Sequence, residues 1–396
     1  MQLVAVGAQD TYLTNNPQIT FFKVVYRRHT PFSVESIKQT FTGTANFGNT
    51  VEAVISRNGD LITNMYLQTS LPAVTAAVSG WVNRVGWRLL NYVELKIGGQ
   101  TIDKQYSTWM HVWTELTHND TKKRALDVLV GAGPTVPSSG RATGEEAGES
   151  AGAVVSLNIP LQFWFCRNPG LALPLIALQY HEVKVAINFE TIANCESEFA
   201  PVGTGSLGST NLWVDYVYLD TEERVNFAQN SHEYLIEQTQ IKTSSSVSAG
   251  DNSVRLNFNH PVKELLWVTR PTAVDDMGGC KFTNFAATTA GTGANNVVTA
   301  KLKLNNQDRF EVRNGVYFDV IQPYQHHSGT SQTGINCYSF ALKPEEHQPS
   351  GTCNMSRIDN IELDVNCTLA GTLEVYAHNY NVLRVMSGMG GLAYSN

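Results

Sequence analysis

The residues able to do chemistry in this chain are scattered, and their spacing fails each mechanism in turn. His232-Glu233 opens the zinc-protease pattern, which needs a second histidine four residues on, one helical turn away; position 236 is Ile. His326-His327 are adjacent, and neighbours on a strand point to opposite faces, so only a loop would let both grip one metal. Ordinary surface or core histidines are the simpler reading. Gly203-Thr204-Gly205-Ser206-Leu207-Gly208 has the letters of a dinucleotide loop, but that site needs a strand before it and a helix after it. Here a strand pattern follows, which leaves no helix N-terminus for a pyrophosphate. Gly-Lys occurs nowhere, which removes the phosphate-binding loop. Asp275-Asp276 could ligate calcium, yet a solvated turn before Gly278-Gly279 accounts for them. The sequence therefore predicts no catalytic residue, no metal site and no cofactor.

Cysteines and sequons fit a chain made inside a cell. The six cysteines form no C-x-x-C pair and read as free thiols in a reducing compartment. Asn119, Asn354 and Asn366 each begin N-x-S/T and are the candidate glycosylation sites, although outside the secretory pathway such matches arise by chance. No basic flank or long apolar run precedes Asp10, so no signal peptide is expected. The longest apolar segment, 171–178, is interrupted by Pro174 and is too short to span a bilayer. The net charge of −7 disfavours direct nucleic-acid binding, which normally calls for a basic face.

The elements that must carry these residues are strands. A chain of 396 residues suits two domains. The stretch from Leu212 to Ile241 divides them: an aromatic and β-branched strand from Trp213 to Leu219, a helix start with Thr221 as cap and Glu222 and Glu223 in its first turn, then a strand from Tyr234. It reads as a hinge at 221–233, between bodies at 32–220 and 234–396, with an arm at 1–31. Asn58-Gly59-Asp60 is a turn before a strand at 61–71. Val93, Leu95 and Ile97, and then Val183, Val185, Ile187 and Phe189, alternate with mostly polar residues as half-buried strands do. Trp109, Val112, Trp113 and Leu116 predict an amphipathic helix over 107–116. Gly131 to Gly152 and Ala200 to Thr210 are small-residue stretches expected to be exposed loops.

The two bodies read as copies. Asn58-Gly59-Asp60, a strand and Leu-Pro-Ala-Val match Asn259-His260-Pro261, a strand and Pro-Thr-Ala-Val. The segment at 181–185 matches 360–365, and 213–225, ending Arg224-Val225, matches 373–385, ending Arg384-Val385. Three weak matches in the same order point to one β-sandwich used twice, the first copy carrying extra loops.

Gly7-Ala8-Gln9-Asp10, Asn16-Pro17-Gln18-Ile19-Thr20-Phe21-Phe22-Lys23 and Tyr26-Arg27-Arg28-His29-Thr30 resemble the opening of the major capsid proteins of nucleocytoplasmic large DNA viruses. The likeness continues through Ile97 to Gln100, Phe163 to Glu182, the segment from Tyr218 to Gln238, Asn259 to Leu265, Ser339 to Asp359 and Asn379 to Asn396, with the phycodnavirus and mimivirus branches most similar. Nothing at 131–153 or 286–300 takes part. The resemblance implies an all-β chain of two consecutive eight-stranded antiparallel jelly rolls with short helices in the connections. It implies homotrimers forming pseudo-hexagonal capsomers that tile an icosahedral shell, in a virion assembled in the host cytoplasm. Neighbouring capsomers, minor capsid proteins, an internal viral membrane surface, and host surfaces or glycans at the outer loops are the partners it suggests.

Within the arm, Tyr12, Phe21, Phe22, Lys23, Tyr26, Arg27 and Arg28 are the candidate inner-face docking residues. Their aromatics need cover, and the arm is positive in a negative chain. Part of the arm is expected to pack under the first roll and part to stay available for a partner. The rival reading is a carbohydrate-binding, lectin-like jelly roll, which would need aromatics or carboxylates gathered in a groove. A metal enzyme on a cupin-like roll lacks its histidine spacing.

Overall fold

The computed structural model describes residues 7–19, 26–73, 81–131, 155–196, 205–272, 282–287, 294–329 and 332–395. The chain divides into two compact units, Met1–Phe32 and Ser33–Asn396. In the first, a single helical turn at Thr11–Thr14 follows Asp10, whose carboxylate accepts from the Gly7 amide at 2.7 Å.

Among the described residues, sixteen of the strands fall into two sets of eight. In the first set β1 is Phe32–Gln39, β2 Thr50–Val54, β3 Leu61–Leu71, β4 Leu90–Ile97, β5 Gln100–Tyr106, β6 Val155–Pro160, β7 Val183–Phe189 and β8 Asn211–Leu219. In the second, β9 is His232–Val247, β10 Gly250–Leu256, β11 Pro261–Pro271, β12 Val297–Leu304, β13 Gln307–Asp308, β14 Ile335–Ser339, β15 Ile361–Cys367 and β16 Gly371–Met386. The first set forms sheets ordered β1-β8-β3-β6 and β2-β7-β4-β5. The second forms β9-β16-β11-β14 and β10-β15-β12-β13, the same order with every strand advanced by eight. Each is a jelly roll. Even the small features repeat: Leu173–Pro174 pairs with β3 and leads into a 3-10 turn, as Cys353–Asn354 pairs with β11 and leads into another.

Alternation explains the sandwich. On β3, Met65, Leu67 and Leu71 are buried while Asn64, Tyr66, Gln68 and Ser70 are not, as one wet face requires. In the second roll, Leu265 and Trp267 of β11 and Val375 and Ala377 of β16 meet Leu302, Leu363 and Val365 from the opposite sheet. Yet β11 is buried on both faces from Val262 to Thr269. Its other face, Leu266 and Val268, belongs with Tyr376 to the first roll's core. The first roll's core therefore extends onto the outer sheet face of the second roll, which keeps a core of its own between its sheets.

Helix α1, Ser107–Thr117, fills that joint. It forms where its spacing predicts, but every residue from Ser107 to Leu116 is buried, so it is not amphipathic in place. Helix α2, Asp120–Val130, follows it, capped by Asn119, whose side chain accepts from the Lys122 amide at 3.0 Å. Helix α3, Thr221–Gln229, carries no buried residue and links the rolls. Thr221 is its first helical residue rather than its cap; the preceding residue is Asp220, in extended conformation. The helix is tied down by Arg224, 3.0 Å from the Asp60 carboxylate, which also accepts from the Leu219 amide at 2.8 Å.

Candidate assembly interface

Among the described residues, most of those singled out in the sequence for chemistry have structural work instead. His232 starts β9, stacks on Phe227, and has its Nε2 2.9 Å from the Phe227 carbonyl oxygen; Ile236 is buried. The described part of the glycine pattern, Gly205–Gly208, runs straight into β8, and the Gly208 amide donates to the Ser70 carbonyl at 2.8 Å. Asp275 and Asp276 lie outside the described residues. So does Gly148-Glu149-Ser150-Ala151-Gly152, which has the letters of a hydrolase nucleophile elbow, against the expectation that no serine sits in that pattern. Among the described residues, no group of three or more His, Cys, Asp or Glu side chains is placed to hold a metal.

His327 is different. It follows the helix Gln322–His326 and is fully buried, with Nε2 3.0 Å from Glu264 and Nδ1 3.1 Å from Glu345. Glu264 lies on the joint-facing side of β11 and also meets His378 of β16 at 3.3 Å. His378 in turn meets Glu237 of β9 at 3.3 Å, and Glu237 binds Lys263 at 2.6 Å and Arg167 of the first roll at 3.0 Å. A bulge between Val262 and Glu264 lets the consecutive residues Lys263 and Glu264 both reach this cluster. Trp113 of α1 closes it, edge-on to His378 at 4.8 Å and beneath the Arg167 guanidinium at 4.9 Å.

The electrostatics follow from burial set against pairing. Burial raises the Glu237 carboxyl, but the Arg167 charge and the bonds to His347 and His378 outweigh it and hold the group well below the carboxylate range. Burial likewise opposes charge on His327, and Glu264 overcomes it, holding the imidazole well above its usual value. Lys263 is pulled down by burial despite Glu237. His111, on the other side of α1, is pushed down to about 3 by burial and by Arg84. Such a network adds little net energy over apolar packing, but misplacing either roll would bury an unpaired charge. It fixes how the rolls dock, and a cavity of about 150 Å³ lined by Arg167, Glu237, Glu345 and His347 borders it.

The N-terminal two-hundred-residue body and the remainder each match a family description. Residues 20–220 match the major capsid protein N-terminus, and residues 223–391 match the large eukaryotic DNA virus major capsid protein. The chain is 50% identical to the major capsid protein of Pyramimonas orientalis virus, covering 100% of this chain and 99% of that one. The chain belongs to the major capsid protein family of large eukaryotic DNA viruses. Among solved structures, the PBCV-1 virus capsid matches with a TM-score of 0.82 and 37% identity over 95% of this chain and 100% of that one. The Faustovirus major capsid protein, 13% identical, shares the fold with a TM-score of 0.74 over 96% of this chain and 94% of its own.

In this capsid-family chain the sequence-predicted arm residues are only partly described. Tyr12, Tyr26, Arg27 and Arg28 are exposed, the tyrosines 92% and 87%, while Phe21, Phe22 and Lys23 lie outside the described residues. The three sequons are dispersed. Asn119 caps α2, Asn354 accepts from the Ser356 amide at 3.1 Å, and Asn366 donates to Asp251 at 2.6 Å. All but the first residue of the stretch from Gly131 to Gly152 lies outside the described residues. The cluster around Glu237 and Glu264 escaped sequence reading, apart from the flagged His326-His327 pair.

Proposed function

We propose that this chain is a shell-building subunit: three copies form a pseudo-hexagonal capsomer, and capsomers tile an icosahedral virus shell. The observation that carries this is the repeated roll within a member of this family, the two rolls meeting across a buried joint. Three such chains present six similar corners, which pack hexagonally although only threefold symmetry is present. Rolls at 32–220 and 234–396, a connector at 221–233 and an arm at 1–31 are the functional divisions this reading uses. Neighbouring capsomers, minor capsid proteins and the internal membrane surface are its partners, the last two met by the arm. Outer loops, 131–152 among them, would meet host surfaces or glycans. The chain would be made and assembled in the host cytoplasm and end in the virion. The lectin-like reading draws no support from the relatives, which are capsid proteins.

Light scattering on the purified chain tests this. A stable particle of about 131 kDa, three times the 43.6 kDa chain, is expected. A single species of chain mass at micromolar concentration would rule it out.

A further inference from the structure

The joint inside the chain pairs two features, and each has an unpaired counterpart in the other roll. In the joint, the helix from the first roll's fifth-to-sixth-strand connection, α1, lies on the outer face of β9-β16-β11-β14. Trp113 packs on His378, and Arg270 of β11 donates to Thr108 Oγ1 at 2.5 Å.

The second roll has the same connection, a π-helical turn at Tyr317–Ile321 running into Gln322–His326. One side buries Phe318 and Pro323. The other presents Val316, Val320 and Tyr324, spaced four residues apart and 54%, 55% and 85% exposed, with Leu342 nearby at 74%. His326 Nδ1, 3.0 Å from the Leu342 carbonyl, ties that residue to the helix. A stripe of this kind on a folded surface calls for cover.

The first roll has the matching sheet face. Tyr66 pairs with Trp213 across β3 and β8, as Leu266 pairs with Tyr376 across β11 and β16. Leu266 and Tyr376 are buried in the joint; Tyr66 and Trp213 stack on each other at 6.2 Å, half-buried. Trp213 Nε1 donates to Gln68 at 2.8 Å, and Asn64 stands where Glu264 stands on β11. A groove of about 600 Å³ borders this face, lined on its apolar side by Tyr66, Leu126 and Leu129 and elsewhere by Lys122, Arg167 and Glu345.

We propose that the stripe Val316, Val320 and Tyr324 of one copy docks on the Tyr66–Trp213 face of the next, repeating between chains the joint made within each. The proposal rests on the reading that the chain self-assembles. Chemistry supports the pairing. The joint sets a charged sheet face against Arg167 and tryptophan, whereas Asn64, Tyr66, Gln68 and Trp213 carry no charge and suit an apolar stripe. The contact is head-to-tail: each added copy leaves one stripe and one face open until a ring closes.

The test uses the full chain. Val320→Glu with Tyr324→Glu should leave a folded protein whose scattering mass falls to the single-chain value. In a second experiment, Gln68→Cys with Val320→Cys should give a covalent ladder on oxidation, while Val225→Cys with Val320→Cys should not, because Val225 sits on α3. If the glutamate variant misfolds, the cysteine pair decides. Assembly of the glutamate variant at wild-type mass, or no ladder from the 68/320 pair while the wild type assembles, overturns the docking. A wild-type chain that stays monomeric overturns self-assembly itself, and the docking with it.

Discussion

Glu264 is the residue on which the joint turns. It is fully buried between His327 and His378, so removing it strands positive charge where water does not reach. Glu264→Ala should lower unfolding stability by about 3–5 kcal/mol, the usual cost of breaking one side of a buried pair. Urea denaturation checks this, and a loss below 1 kcal/mol would mean the site rehydrates. pH reads the same network. The raised His327 makes a contribution that is complete below its unfolded value near 6.5 and fades as pH rises through its folded value. The lowered Glu237 and Glu264 contribute fully above about 4.5 and fade as pH falls through their folded values. Stabilisation should therefore be greatest between about pH 4.5 and 6.5. Glu264, Glu345 and Cys337 surround His327, and Lys263 shifts in the opposite sense, so the useful quantity is a difference. Wild type should lose more stability between pH 6 and pH 9 than His327→Gln. Equal losses would show that His327 is neutral in the folded chain.

At the scale of elements, the strands were legible because alternation reports one dry face. The segments 93–97 and 183–189 fall on strands for that reason, while 61–71 follows its turn and 213–219 its aromatic and β-branched content. The joint was not legible. Its residues come from β9, β11, β16, α1 and two connections, and no local period links Arg167 to Glu237 or Glu264 to His327. A run such as Val262 to Thr269, buried on both faces, reads as a core strand and conceals which side meets a second domain. The same limit explains α1, whose apolar stripe was visible while the burial of Ser107, Thr108, His111, Thr114 and Glu115 depends on the second roll. Two variants test elements singly. Asn119→Ala should cost about 1 kcal/mol through the lost α2 cap, while Asn119→Asp, which also removes the sequon, should keep most of it. Thermal unfolding of both distinguishes a capping role from a glycan-dependent one. Trp113→Ala empties the joint and should cost about 3–5 kcal/mol. If calorimetry instead shows two separate transitions, the joint rather than either roll sets cooperativity.

For the molecule as a whole, the repeated strand order accounts for the length of the chain, and in the proposed assembly the second roll supplies further corners for a lattice. The arm is where this account departs from packing alone. A chain lacking Met1 to Asn16 should assemble into trimers with a nearly unchanged melting temperature and fail to build closed shells. An insoluble product, or a melting point lowered by many degrees, would make the arm part of the core. The central claim is most directly tested by electron micrographs of the purified full-length protein. Class averages should show hexagon-outlined particles with a threefold centre, each side of the repeat contributed by one of two similar rolls. Elongated two-lobed single chains, or particles with twofold symmetry, would contradict it.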